Sequence, residues 1–271
     1  MQCALCKQNF EKLENSHIIP SFVTKWLKKT SRGSGYLRDG YDPTRRIQDS
    51  ETKKLLCKKC EEKLSNYEGY FAERVFKPLL DKKNKKFMYN EKVEYFIVSL
   101  AWRFLEDNLI SYEYTASINN EINNKLTKFY GVKEYFRKLL NEKKQDDRYT
   151  CCIQLIKNTK DYSKELLGVK AYISRVIDIT LLFETNTIYI KLPNIFILLT
   201  VGSKVKMYNE LECYYNKPIY MNNKFKDKTL LYSRIHYLYN EHLSKIPETE
   251  WNRIDYDILK NKYKVLHKSN R

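Results

Sequence analysis

The apolar positions of the chain fall into groups with different spacings, and each spacing predicts an element. Leu64, Tyr67, Phe71, Val75 and Leu79 recur at close to 3.6 residues and predict a long helix from about Cys60 to about Leu80. Upstream, Phe22, Val23 and Trp26 give one apolar face to a short helix, Phe22–Lys29, which follows Pro20 and which Ser21 can cap. The stretch Asn9–Ile19 reads as a hairpin strand ending at His17, and Arg45–Gln48 reads as its returning partner. Thr30–Gly35 is a loop of small and turn-forming residues. The lysine- and asparagine-rich run Asp81–Lys86 reads as a linker, followed by helices over Val93–Leu109 and Glu121–Asn141. From Tyr149 the pattern changes to β-branched and aromatic runs broken by turn residues: Tyr149–Ile156, Gly168–Ile173, Ile177–Phe183, Ile188–Leu192 and Ile195–Val201. Helical spacing returns over Lys228–Lys245 and Tyr256–His267. The order predicts an α+β fold with a front domain over residues 1–85 and a second α+β domain over 86–271. Its helices fall at about 91–145, its antiparallel strands at about 149–202 and its final helices at about 228–267.

Cysteines change the picture of the front domain. Cys3 and Cys6 form one C-x2-C pair, and Cys57 and Cys60 form another. Thiolates at that spacing grip one zinc ion from a single tight turn, and two such turns close its tetrahedron with no open position. A structural zinc is therefore expected at Cys3, Cys6, Cys57 and Cys60. A cysteine knuckle, a hairpin and a helix opened by the second pair make a treble clef, a ββα unit. Cys151, Cys152 and Cys213 have no such spacing and read as packed thiols. Seven cysteines, four of them committed to a metal, argue against a disulfide framework. The start of the chain has no basic-then-apolar signal segment, and a cytoplasmic, reducing location is expected. The longest apolar stretches, near Tyr95–Leu105 and Leu192–Val201, fall short of the roughly 20 residues a membrane helix needs, and Arg103 interrupts the first.

Charge adds a partner class. The net charge is +17, and residues 1–90 carry 20 Lys/Arg against 11 Asp/Glu, so the basic excess is densest around the cysteines. That distribution favours nucleic acid at the front domain. Lys25, Lys28, Lys29, Arg32, Arg45 and Arg46 are the candidates to hold backbone phosphates.

Between the cysteine pairs stands Ser16-His17-Ile18-Ile19-Pro20, and the second pair sits in Leu55–Glu61. This order, over roughly Cys3 to Pro78, resembles the HNH endonuclease family. The whole chain is also similar to a group of bacterial proteins that share the His-Ile-Ile-Pro step, the Leu-Leu-Cys-x-x-Cys-Glu helix start and a later helix matching Ser99–Arg103. The resemblance implies a ββα-metal nuclease acting on nucleic-acid phosphodiesters, DNA before RNA, with a possible role in defence. His17 falls on the general-base position, where a side-chain pKa near 6.5 suits proton acceptance from water. A divalent ion, Mg²⁺ or Mn²⁺, would stabilise the scissile phosphate.

This chain departs from the family at three positions. Ser16 stands where an Asp or His metal ligand usually precedes the base, and Glu61 stands where a His usually follows the last cysteine. Gln48 is the nearest match to the family's Asn. Glu61 suits oxygen-preferring ions, and Glu68 lies seven residues on along the same helix. The catalytic candidates are therefore His17, Glu61 and Gln48. The alternative class is a non-catalytic nucleic-acid-binding or sensor protein that keeps the zinc unit as a scaffold. A protein-interaction module with incidental charge is a third. Arg103, in an otherwise apolar helix, is expected to pair with a buried acid or pack its stem. His236 and His242 read as packing or surface residues.

Overall fold

The two cysteine pairs are brought together by a small antiparallel hairpin at the front of the chain. In the computed structural model the described residues are 1–31, 35–40, 42, 44–81, 85–116, 120–142, 149–156, 169–202, 213, 216–222, 228–253 and 256. Strand β1 (Glu14–His17) is followed by helix α1 (Ser21–Lys29), then by a two-residue ladder of β2 (Leu37–Arg38) on β3 (Arg46–Ile47). Strand β4 (Thr52–Leu56) returns antiparallel to β1, pairing Ser16 with Lys53 and His17 with Thr52. Helix α2 (Lys58–Phe71) opens at the second cysteine pair and continues through a π-helical turn, Ala72–Phe76, into α3 (Lys77–Leu80).

The partner of β1 thus differs from the expectation. Arg46–Ile47 pairs with Leu37–Arg38, and the strand beside β1 is Thr52–Leu56. The reason is chemical. Thr52, Lys53 and Lys54 are exposed, so β4 carries no apolar alternation to announce it. It is held by main-chain pairing, by Lys54 Nζ donating to the Leu13 carbonyl at 3.1 Å, and by the Ala4 N–H donating to Leu55 O at 2.9 Å. Ser21 opens α1 without capping it: the N-cap position is Pro20, with no side-chain cap bond.

Strand β5 (Lys86–Met88) follows α3, and the long helices α4 (Glu91–Ala116) and α5 (Asn120–Glu142) pack on one another. The remaining elements are β6 (Tyr149–Ile156), α6 (Val169–Arg175), β7 (Asp178–Leu182), β8 (Thr187–Leu192), β9 (Ile195–Val201), β10 (Pro218–Asn222) and α7 (Lys228–Glu241). A short 3-10 turn, Leu243–Lys245, follows. Six strands form one sheet in the order β5-β10-β6-β9-β8-β7. The sheet is mixed rather than wholly antiparallel, because β10 runs parallel to β6. Lys86, read as the end of a linker, begins an edge strand of that sheet. Residues 82–84 of that linker lie outside the described residues, as does the helix expected over Tyr256–His267 beyond Tyr256.

The run Gly168–Ile173, read as a strand, is instead helix α6 from Val169 onward, with Gly168 itself outside the described residues. Its β-branched and aromatic content suggested a strand. Tyr172 and Ile173 are buried under the sheet's second face beside Leu231 and Ile235 of α7, and that packing overrides propensity.

Strand alternation splits the core into two sides. Cys151, Ile153 and Leu155 face α4 and α5, while Cys152 and Ile156 join Tyr172, Leu231 and Ile235 on the other face. The first side is continuous with the front: Leu5, Leu56, Leu64 and Phe71 share one buried cluster with Phe96, Trp102, Phe129 and Phe136. Aromatic contacts make the join. Phe22 of α1 lies 5.1 Å from Phe76 and 5.9 Å from Phe96, and Phe71 stacks on Phe96 at 3.9 Å. Each such pair adds about 0.5–1.5 kcal/mol beyond the area it buries. Among the described residues, no helix is long and apolar enough to cross a membrane.

Candidate functional site

The first cysteine pair sits in a tight knuckle. The Cys3 N–H donates to Gln8 O and the Lys7 N–H to Cys3 O, both at 2.9 Å, and Lys7 takes a left-handed φ of 61° to close the turn. The second pair sits at the mouth of α2, with Cys57 at its N-cap. Hairpin pairing sets one against the other, and the Cys57 N–H donates to Cys3 Sγ at 3.3 Å. The four sulfurs of Cys3, Cys6, Cys57 and Cys60 all lie within 4.8 Å of one another. A tetrahedral zinc with Zn–S of about 2.3 Å requires sulfurs roughly 3.8 Å apart. The 4.0 Å between Cys6 and Cys57 agrees. The cluster could hold a metal ion such as zinc, and its donor set is the one zinc prefers.

Electrostatics point the same way. Burial opposes ionisation of Cys3, but the N–H groups of Cys6, Cys57 and Leu5 outweigh it and hold this thiol at about 7. Burial and the neighbouring sulfurs push Cys60 up, and burial pushes Cys6 up. One thiolate forms readily and then resists the others, a conflict that a dication in their midst removes. Helix α5 braces the knuckle: Arg137 donates to Leu5 O at 2.8 Å while paired to Glu134.

His17 and Ser16 end strand β1, and alternation sends their side chains to opposite sides. Ser16 is fully buried and donates to Glu61 Oε2 at 2.6 Å in the first turn of α2. His17 points toward the segment after β3. Its Nε2 lies 3.4 Å from Asp49 Oδ2, and both side chains are about one-third exposed (32% and 35%). Asp49 is itself fixed. Its Oδ1 accepts from Thr24 Oγ1 at 2.5 Å and from the Ser50 N–H at 2.9 Å. Burial raises the Asp49 carboxyl, but Thr24, Ser50 and His17 together hold it below the usual carboxylate range. A depressed carboxyl stabilises the fold above its unfolded pKa of about 3.9, and that contribution is lost as pH falls through the folded value. Thr24→Val should therefore raise the Asp49 pKa, read by carboxyl NMR titration, and make acid unfolding begin at higher pH. An unchanged Asp49 titration would contradict the contact.

Asp49 is the residue that sequence reasoning missed. Gln48 was expected near His17, but its main-chain carbonyl accepts from Lys28 Nζ at 2.5 Å and its side chain makes no hydrogen bond among the described residues. Glu61 is placed against Ser16, not His17. Glu68 pairs with Arg103, so that arginine meets an acid as expected, though a half-buried one. Lys25, Lys29 and Arg45 are exposed; Lys28 is tied to Gln48 O, and Arg46 lies over the Tyr36 ring at 5.6 Å. Arg32 lies outside the described residues. His236 contacts Asn240, and His242 packs against Tyr237.

Comparison of the chain with protein-family models, curated proteins and solved structures yields no match.

Proposed function

We propose that the front of this protein is a zinc-bound treble clef of the HNH type, and that it hydrolyses nucleic-acid phosphodiesters, DNA before RNA. The observation that carries this reading is the Thr24–Asp49–His17 chain of contacts beside exposed lysines and arginines. A carboxylate on one ring nitrogen selects the tautomer in which that nitrogen carries the proton, and leaves the other nitrogen, Nδ1, as the acceptor. Nδ1 has no partner among the described residues, so it is free to take a proton from water. The 3.4 Å contact is long, and contacts of this kind tighten when substrate binds.

Glu61 supplies an oxygen donor one strand position away, through Ser16. With an oxygen ligand and no second histidine beside it among the described residues, this position suits Mg²⁺ or Mn²⁺ rather than nitrogen-preferring ions. When bound, such an ion would neutralise charge on the scissile phosphate. Lys25, Lys29 and Arg45 would hold flanking phosphates, which orient the backbone without reading sequence.

One observation favours a second reading, a non-catalytic zinc-scaffolded nucleic-acid binder. The Glu61 carboxylate is already bonded by the buried Ser16 hydroxyl, on the side of β1 opposite His17. Incubation of the protein with supercoiled plasmid and with single-stranded RNA, in Mg²⁺, Mn²⁺ or Ni²⁺, separates the two. The nuclease reading expects plasmid nicking in Mg²⁺ or Mn²⁺ and little in Ni²⁺. DNA binding with no cleavage under any metal supports the second.

A further inference from the structure

The site does not end with the front segment. Arg103 stands in the middle of α4, 1% exposed, in the apolar run Phe96–Leu105. Its NH1 donates to the main-chain carbonyl of His17 at 2.8 Å, and its NH2 is paired to Glu68 of α2. One helical turn on, Asp107 is paired to Lys53, the residue opposite Ser16 on β4. Positions four apart share a helix face. The same face of α4 therefore grips both strands of the hairpin, one at His17 and one at the partner of Ser16.

Burying a guanidinium is costly, and a well-packed apolar side chain usually stabilises such a site more. The Arg103 Nε has no partner among the described residues, so the residue is not fully satisfied there. What Arg103 does that an apolar residue could not is fix the carbonyl of one particular residue. We propose that Arg103, held by Glu68, is a positioning residue for His17: it sets the backbone from which the imidazole reaches Asp49. This makes α4, well outside the cysteine-framed segment, part of the site. The inference rests on the nuclease reading for its kinetic consequence, but its structural part stands apart from it.

The experiment compares wild type, Arg103→Met and Arg103→Lys, all zinc-loaded. Zinc content is measured as a control, because a fold-wide defect would release the metal. Nitrogen-15 NMR of the imidazoles reads the His17 tautomer among only four histidines, and single-turnover plasmid cleavage gives the rate apart from DNA affinity. Wild type should hold one tautomer, protonated at the nitrogen facing Asp49. Arg103→Met should show a mixture and cleave about 100-fold more slowly, with DNA affinity changed by less than about two-fold, as a misplacement of roughly 1 Å does. Arg103→Lys, which can make one of the two bonds, should fall between. A wild-type His17 spectrum in either zinc-retaining variant overturns the proposal, and Arg103→Lys carries the test alone if Arg103→Met does not fold. Absence of cleavage by wild type would sink the nuclease reading and leave the tautomer comparison to decide the role of Arg103.

Discussion

Stripping the metal from this protein should unfold its front, and native mass spectrometry should find one zinc per chain before it is removed. Four sulfurs gathered within 4.8 Å are held apart by their own charge once ionised. In small domains such sites supply about 10–16 kcal/mol of apparent binding free energy, which is folding free energy. Here part of that is shared, because Leu5, Leu56 and Leu64 also belong to the cluster built on α4 and α5. Loss of even about 5 kcal/mol lowers the melting temperature of a chain this size by roughly 10 °C or more. Cys57→Ser should do the same, because it removes one of the four gathered sulfurs. Cys151→Ser, at a buried sheet position that is not one of the four gathered sulfurs, should leave zinc content unchanged. Zinc affinity should weaken as pH falls, since bound thiolates must be reprotonated and Cys6 and Cys60 already sit high. A protein purified without zinc and indifferent to chelators would contradict this.

The second large effect belongs to Asp49. Asp49→Asn keeps the shape of the side chain but no longer demands a proton on His17 Nε2, so the wrong tautomer becomes accessible. In buried His–Asp pairs this substitution costs about 10⁴-fold in rate. The His17–Asp49 pair is one-third exposed, so water competes for the imidazole, and about 100-fold is expected. Because the two side chains act as one unit, Asp49→Asn added to His17→Ala should slow cleavage no further than His17→Ala alone. Single-turnover rates of the two single variants and the double variant check this. Additive losses would mean that Asp49 acts elsewhere, for instance on phosphate through the Lys28 side chain tied beside it.

What could be read from the residues follows the range of the interactions involved. The cysteine cluster was legible because ligand spacing is a local rule, repeated twice, and the face that runs from α2 through the π-helical turn into α3, by Leu64, Tyr67, Phe71, Val75 and Leu79, because helical periodicity is local too. Strands β6, β8 and β9 announced themselves by short runs rich in β-branched, aromatic and other apolar residues, as strands buried on both faces do. Strand β4 did not, because Thr52, Lys53 and Lys54 face solvent and its register is set by pairing 37 residues distant, Ser16 opposite Lys53 chief among them. The parallel β10–β6 contact joins Met221 to Leu155, 66 residues apart, and leaves no local trace. Asp49 escaped for the same reason. Its bonds to Thr24 and His17 span 25 and 32 residues, and no spacing rule marks a carboxylate that arrives by loop geometry. Arg103 was visible as an anomaly in an apolar helix, but its target, a main-chain carbonyl, has no signature in side chains.

The central claim is that His17 is the base of a metal-dependent nuclease, and cleavage of supercoiled plasmid under single-turnover conditions tests it most directly. Zinc-loaded wild type and His17→Ala are compared in Mn²⁺ and in Mg²⁺ at neutral pH. The account predicts nicking by wild type in at least one of these ions and a loss of about 10²–10⁴-fold in the variant, with zinc content and DNA affinity preserved. Equal cleavage by the two proteins, or none by wild type in either ion, would contradict it.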